Sequence, residues 1–390
     1  MIHLFLNGLG ASAGGGLTYL RNVLPLLSQQ GDLRATVALS PGLRSEFAGL
    51  PNVEFADVPD RAGAGRRFWF EQAQLPAVIR KSHADVLISA GNFALRNSPV
   101  PQVLLSRNSL YTSADFYRDL RYRSEYGAWL ATRIKGALAA RSVHWADRTV
   151  APSRAFAHEL QRWTGRHVAA IHHGFDLQAF SSDQSPLPED TLQKLKSGTD
   201  CLRLLFVSHY NYYRNFETLF RAIPLLRQKL TGRSVRLFLT CELQNDRNPG
   251  AYKTEKAVAL IEQLGIREEV VELGAVPYHL LHQVYRACDI YVTPAYTETF
   301  AHPLVEAMAT GLPVAASDLP VHREVCGEAA LYFERFASDQ LAEQLCEIAN
   351  QTETASRLSG RGKHRALDFS WAKHISQLLD TVGQLLHSPG

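Results

Sequence analysis

A chain of 390 residues exceeds what one compact core ordinarily holds, which predicts two domains, or three. With 46% hydrophobic and 20% charged residues, the composition is that of a soluble globular protein and excludes disordered and fibrous classes. A net charge of +3 is too small to imply nucleic acid as a partner, and five cysteines with no Cys-x-x-Cys pair argue against a disulfide framework or structural zinc and for a reducing cytosol.

The first predicted strand, residues 2–6, is a short apolar run without a basic flank, too short for a signal peptide or a membrane span. No later segment reaches spanning length either. The turn after it reads "NGLGASAGGGLTYL", whose Gly8, Gly10 and Ala13 stand at the spacing of a dinucleotide fingerprint. That fingerprint needs an acidic residue at the end of the second strand to hold a ribose, and here the strand ends in Leu39-Ser40-Pro41, so a nicotinamide or flavin role is set aside. Gly14, Gly15 and Gly16 sit directly before a helix with Leu17, Leu20, Val23 and Leu27 on one stripe and Gly31 as its stop. They read either as a flexible turn or as a place where an anionic or sugar ligand approaches a helix N-terminus.

Further strands are predicted at residues 35–39, 53–56, 85–89, 102–105, 148–151 and 168–171, alternating with helices, which points to a parallel sheet covered on its faces. Asn92, Arg107 and Asn108 lie just beyond strand ends, the edge at which open parallel sheets bind ligands. Arg118, Arg121, Arg123, Arg133, Lys135 and Arg141 crowd a helical stretch that also carries Trp129 and Leu130. It reads as a solvated face or as peripheral contact with an anionic membrane surface or lipid-linked acceptor. His172 and His173 end a strand; adjacent in extended chain they point apart, which disfavours a shared metal.

Residues 173–200 are polar, rich in Ser and Pro, and read as a linker. The alternation then restarts with strands at 204–207, 235–240, 270–273, 289–293, 314–316 and 331–333, so residues 1–172 and 201–370 are two α/β domains. After the first strand of the second domain a polar loop carries His209, Arg214 and Asn215, where Arg214 is placed to neutralise a phosphate. Further on, Glu298 falls in a loop, Pro303 marks the first turn of a helix, Glu306 lies about one turn inside it, and Gly311 with Pro313 ends it.

The string "TPAYTETFAHPLVEAMATGLPVAASDLPVHREVCGEAALYF" resembles the nucleotide-binding segment of retaining glycosyltransferases of the group 1 type, family 4: a glutamate, seven residues, a second glutamate, then "EAMA-x-G-x-P-V". The likeness extends over nearly the whole chain, through the glycine-rich first loop, "IHHGFDLQAF", "VELGAVPYHLLHQVYRACDIYVTP" and the closing "FSWAKHISQLLDTV". It implies an α/β GT-B fold, two Rossmann-like domains facing a central cleft, with a last helix, about 371–390, crossing back to the first domain.

It further implies a nucleotide diphosphate sugar as donor and a polysaccharide, cell-envelope, glycolipid or small-molecule acceptor, with no cofactor. Glu306 would hold the donor ribose, and Glu298 the sugar or the adjoining phosphate. The backbone from Phe300 through Ala301, His302, Leu304 and Val305 would hold the diphosphate, with Asn215 on the donor side. Arg214 and His209 match the family's basic pair that stabilises the leaving diphosphate. Gly14, Gly15, Gly16, Asn92, Arg107 and Asn108 would face phosphate or acceptor. No Asp-x-Asp motif is present, so no metal is expected. Two departures stand out: Ser106-Arg107-Asn108 occupies the place of a family histidine, and Phe300-Ala301 replaces Phe-Gly. A nucleotide-sugar epimerase of the same fold and a sugar-nucleotide-binding protein without catalysis are the alternatives.

Overall fold

The computed structural model describes residues 1–11, 14–59, 63–197, 201–230, 232–250 and 252–387. Ala13 of the glycine-rich turn and the end of the expected linker, 198–200, lie outside them. The chain divides into two compact units, one of residues 1–113, 124–174 and 370–390, the other of residues 114–123 and 175–369.

The first unit is built on seven strands: β1 (Ile2–Asn7), β2 (Leu33–Ala38), β3 (Val53–Phe55), β4 (Val86–Ser89), β5 (Gln102–Leu105), β6 (Arg148–Ala151) and β7 (Ala169–Ala170). All pair in parallel, in the order β3-β2-β1-β4-β5-β6-β7. Strands buried on both faces need no polar side, which is why β4, "VLIS", and β5, "QVLL", are buried along their whole length. The second unit repeats the plan with β8 (Cys201–Phe206), β9 (Ser234–Leu239), β10 (Val270–Glu272), β11 (Ile290–Thr293), β12 (Val314–Ser317) and β13 (Ala330–Phe333), ordered β10-β9-β8-β11-β12-β13. In each sheet the strand order reverses once, between β1 and β4 and between β8 and β11. Crevices that bind ligands form at the carboxyl ends of such a pair.

Six helices position the residues of interest: α1 (Gly14–Ser28), α2 (Ala114–Tyr122), α3 (Tyr126–Trp145), α4 (Phe216–Lys229), α5 (His302–Thr310) and α6 (Trp371–His387). In the first unit, Tyr19, Leu20, Val23, Leu24 and Leu27 of α1 share a core with Trp371, Ile375, Leu378 and Val382 of α6. Gly174 sits so close to the Trp371 backbone that a Cβ there would collide with it, so glycine is required where the two segments meet.

Two sequence expectations change. The passage expected to be a linker is largely structured within the second unit, with helices at Leu177–Phe180 and Glu189–Lys196, the first capped by Asp176, whose carboxylate accepts the Ala179 N–H at 3.0 Å. The basic stretch is two helices rather than one, and α2 clusters with the second unit while α3 stays with the first. No helix among the described residues is long and apolar enough to cross a membrane.

Candidate functional site

In the second unit, the loop leaving β8 and the loop leaving β11 are stitched together at the point where the strand order reverses. A single 3-10 turn, Tyr212–Arg214, is capped by Asn211, whose side-chain oxygen accepts the Arg214 N–H at 3.1 Å. Asn215 follows in the left-handed region at φ 56, a conformation asparagine tolerates. Its amide donates to the Pro294 carbonyl at 2.9 Å and to the Arg335 carbonyl at 2.7 Å, so the side chain expected to touch a donor is committed to joining the loops. The Tyr296 N–H adds a bond to the Tyr213 carbonyl at 3.1 Å.

Across that seam Arg214 forms an ion pair with Glu298, which brings together two of the residues singled out in these loops. Burial pushes the Glu298 carboxyl up, but Arg214 and the Thr299 N–H, donating at 3.0 Å, more than offset it and hold the group below the usual carboxylate range. Burial likewise works against the Arg214 charge, and Glu298 restores it. The Arg214 Nε is buried without a partner among the described residues, leaving one donor uncommitted. His209 stands exposed in the same loop; partial burial pushes its pKa down and Arg214 adds to the effect, so the ring is neutral near pH 7.

A brace that sequence reading missed backs this pair. Arg123, expected on a solvated or membrane-facing surface, is largely shielded, its side chain 9% exposed: its Nε donates to Asp119 at 2.7 Å, its Nη2 to Glu217 at 2.6 Å, and its guanidinium lies 4.1 Å from the Tyr212 ring centroid. Asp119 in turn accepts from the Tyr296 hydroxyl at 2.8 Å. The Phe116 ring meets Tyr213 edge-on at 6.2 Å. Helix α2 thus holds both the Tyr212–Arg214 turn and the segment leading to Glu298.

Helix α5 starts from Ala301, which adopts φ 66 and ψ 67, left-handed backbone that favours glycine. Within the stretch expected to offer amides, Pro303 has no N–H and the Leu304 N–H donates to the Ala301 carbonyl at 3.0 Å, so fewer donors face outward than the run 300–305 suggests. Phe300 is buried, with its ring against Phe369 and His302. Leu304 and Val305 are buried as well. Glu306 is buried one turn into the helix and accepts from the Tyr285 hydroxyl at 2.8 Å. Burial pushes its pKa up to about 7, against the opposing hydrogen bonds of Tyr285 and Tyr278. His322, after β12, is fully buried; its Nδ1 donates to the Ser317 carbonyl at 2.9 Å and its Nε2 has no partner among the described residues. No sequence spacing ties Tyr285 or His322 to the two glutamates, because Tyr285 comes from the helix before β11 and His322 from the helix after β12.

In the first unit the polar residues gather where β1 and β4 diverge. The Arg107 N–H donates to the Asn92 side chain at 2.6 Å, its Nη2 donates to the Ala90 carbonyl at 2.5 Å, and its guanidinium carbon lies 4.3 Å from the Tyr19 ring centroid on α1. The Tyr19 hydroxyl bonds His374 Nε2 at 2.9 Å, whose Nδ1 donates to the His172 carbonyl at 2.8 Å. Burial pushes the His374 pKa down to about 4, which keeps it neutral. Asn108 caps the turn Ser109–Tyr111, accepting the Leu110 N–H at 3.0 Å. Gly14, Gly15 and Gly16 form the first turn of α1; a Cβ on Gly16 would lie 2.9 Å from the Ala11 Cα, while Gly15 faces open space.

Comparison with known proteins matches residues 189–365 to the family described as glycosyl transferases group 1 and residues 13–179 to glycosyltransferase family 4. A D-inositol 3-phosphate glycosyltransferase of Nocardia farcinica is 28% identical over 183 residues, 46% of this chain and 40% of that protein. This chain spans about half the length, or less, of the first curated relatives it matches. Among solved structures, sucrose-phosphate synthase from Thermosynechococcus elongatus superposes with a TM-score of 0.73 at 17% identity, covering 99% of both chains. Anabaena HepE, solved in complex with UDP-glucose, gives a TM-score of 0.72 at 18% identity over 98% of this chain and 100% of its own. The fold is therefore that of GT-B glycosyltransferases.

Proposed function

The chain belongs to the group 1, family 4 type of glycosyltransferases, and from that premise we propose that it moves a sugar from a nucleotide diphosphate sugar to a hydroxyl of a carbohydrate, cell-envelope or small-molecule acceptor, with retention and without a metal. The observation that carries this reading is the Arg214–Glu298 pair at the β8/β11 reversal, next to a helix that opens at Ala301 and buries Glu306 in its second turn.

The physical roles follow from that geometry. A glycosidic bond to a diphosphate breaks with charge accumulating on the departing oxygens. Arg214, held charged and in place by Glu298, supplies a fixed cation for it, and one such donor is typically worth about 10²- to 10³-fold in rate. His209, neutral, offers a hydrogen bond in the same loop. Glu306 accepts from the ribose hydroxyls, sharing its carboxylate with Tyr285. Retention follows if the acceptor hydroxyl attacks from the face the diphosphate leaves: the new C–O bond forms as the old one breaks, and a phosphate oxygen takes the hydroxyl proton. Glu298 is occupied by Arg214 and is not a nucleophile, so the paired-carboxylate chemistry of retaining glycosidases is not needed.

The exposed side chains of Tyr126, Leu130 and Ile134, four residues apart along α3 with Arg133 and Lys135 beside them, support peripheral contact with an anionic membrane face. The test is product analysis by NMR with UDP-glucose, the sugar nucleotide bound by Anabaena HepE, offered first and GDP-, ADP- and TDP-sugars next. The expected product keeps the donor's anomeric configuration, and EDTA leaves the rate unchanged. A new nucleotide sugar formed without acceptor, or an inverted product, contradicts the reading.

A further inference from the structure

Helix α2 and the residue after it reach three loops at the carboxyl ends of the second sheet. The Asp119 carboxylate divides its oxygens: Oδ1 accepts the Arg123 Nε at 2.7 Å and Oδ2 accepts the Tyr296 hydroxyl at 2.8 Å. Arg123 continues to the loop leaving β8, with its guanidinium 4.1 Å from the Tyr212 ring centroid and its Nη2 on Glu217 in the first turn of α4. Tyr296 belongs to the loop leaving β11, just ahead of Glu298. One turn earlier on α2, Asp115 pairs at 2.8 Å with Arg335, beyond β13, and the Arg335 carbonyl accepts the Asn215 amide.

The carboxylate comes from a segment, residues 114–123, that clusters with the second unit while the chain on both sides of it belongs to the first, so its place among these loops is not a by-product of local chain folding. Shielded ion pairs return little more than the cost of taking their charges out of water, and apolar packing would stabilise the loops as well. What a planar carboxylate with two directed acceptors adds is orientation. Arg214 depends on orientation, since a cation aids a departing diphosphate only where it is aimed, and about an ångström of misplacement costs on the order of 10²-fold in rate.

We propose that Asp119, with Arg123 and Tyr296 as its two arms, positions the Arg214–Glu298 pair for transfer, acting on turnover through Arg214 rather than on donor affinity. This rests on the glycosyltransferase reading for the reaction it serves. The three are positioning residues and act at one remove. Tyr296 passes its placement on through its N–H, which donates to the Tyr213 carbonyl at 3.1 Å, and through the short run of chain to Glu298. Arg123 does so through the Tyr212 ring, in the same turn as Arg214.

The test uses the full chain and compares wild type with Asp119→Asn, Tyr296→Phe, Arg123→Met and Arg123→Lys. Turnover is read as nucleoside diphosphate released from UDP-glucose, then from GDP-, ADP- and TDP-sugars, and donor affinity by calorimetry. Tyr296→Phe, which loses one hydroxyl, is expected to lower kcat about tenfold, and Asp119→Asn and Arg123→Met up to about 10²-fold, with donor Kd unchanged and part of the loss restored in Arg123→Lys. A purely structural role is separated by a double-mutant cycle. In an Arg214→Ala background, Tyr296→Phe is expected to change kcat by no more than about twofold, because the group it aims is gone. The same tenfold loss in that background overturns the proposal, as does a Kd that weakens in step with kcat. Tyr296→Phe is the variant least able to disturb folding, so wild-type turnover in it alone removes Tyr296 as an arm, and wild-type turnover in Asp119→Asn as well ends the positioning role. A wild type that turns over none of these donors would count against the transfer reaction itself and take this role with it.

Discussion

Each unit places one arginine at the point where its strand order reverses, and the two are held in opposite ways. Arg214 leans on Glu298, which is itself fixed by the Thr299 N–H, within loops tied by Asn215 and braced by α2. Arg107 leans on a ring face and a carbonyl and meets no acid among the described residues. A paired cation can be carried by the fold alone, with its orientation set before any ligand arrives. An unpaired one rests on neutral partners alone, which return less of the cost of leaving water.

The largest expected effect lies on the paired side. Arg214→Ala removes the cation at the departing diphosphate and is expected to lower kcat about 10²- to 10³-fold with a smaller change in KM. Steady-state kinetics at wild-type rates would remove Arg214 from the mechanism. The comparison sharpens if both arginines are replaced by methionine and unfolding is followed without ligand. Arg214→Met strands Glu298 and is expected to cost about 3 kcal/mol, whereas Arg107→Met leaves stability equal or higher. A comparable loss in both variants would break the distinction.

A smaller effect concerns Glu306. Its folded pKa, raised to about 7 by burial, means the folded state keeps a proton that the unfolded chain releases near its ordinary value of 4.5. The stability tied to this group is therefore present below that ordinary value and is lost as pH rises toward about 7. Glu306→Gln is expected to flatten that slope in thermal unfolding between those two values. Donor affinity should run the other way, rising with pH as the carboxylate becomes ionised and accepts ribose hydroxyls better; a pH-independent Kd in wild type contradicts the assignment. The smallest effect is Ala301→Gly. It relieves left-handed backbone and should raise stability by about 1 kcal/mol, read by thermal unfolding; no gain would contradict strain at this position.

The sheets were largely legible because parallel strands covered on both faces read as uninterrupted apolar runs, as in "VLIS" and "QVLL". The loop position of Glu298 and the helical position of Glu306 were legible too, since Pro303 and Gly311 punctuate that helix at both ends. Helix α1 closes at Ser28, short of the Gly31 stop, where the Ser28 hydroxyl turns back to the Pro25 carbonyl at 2.7 Å. What the sequence hides is pairing across distance. The basic residues within and between α2 and α3 look alike in one dimension, yet Arg123 is held between Asp119 and Glu217 while Arg133 stays exposed. Nor does any spacing reveal that Tyr285 comes to Glu306, or that no acid among the described residues comes to Arg107. A partner's absence has no sequence signature.

The most direct test of the account is calorimetric titration of the full chain with UDP-, GDP-, ADP- and TDP-sugars, repeated on Glu306→Ala. The account predicts that at least one nucleotide sugar binds wild type and that its affinity falls at least tenfold in the variant. Binding of none, or equal affinity in both proteins, would contradict it.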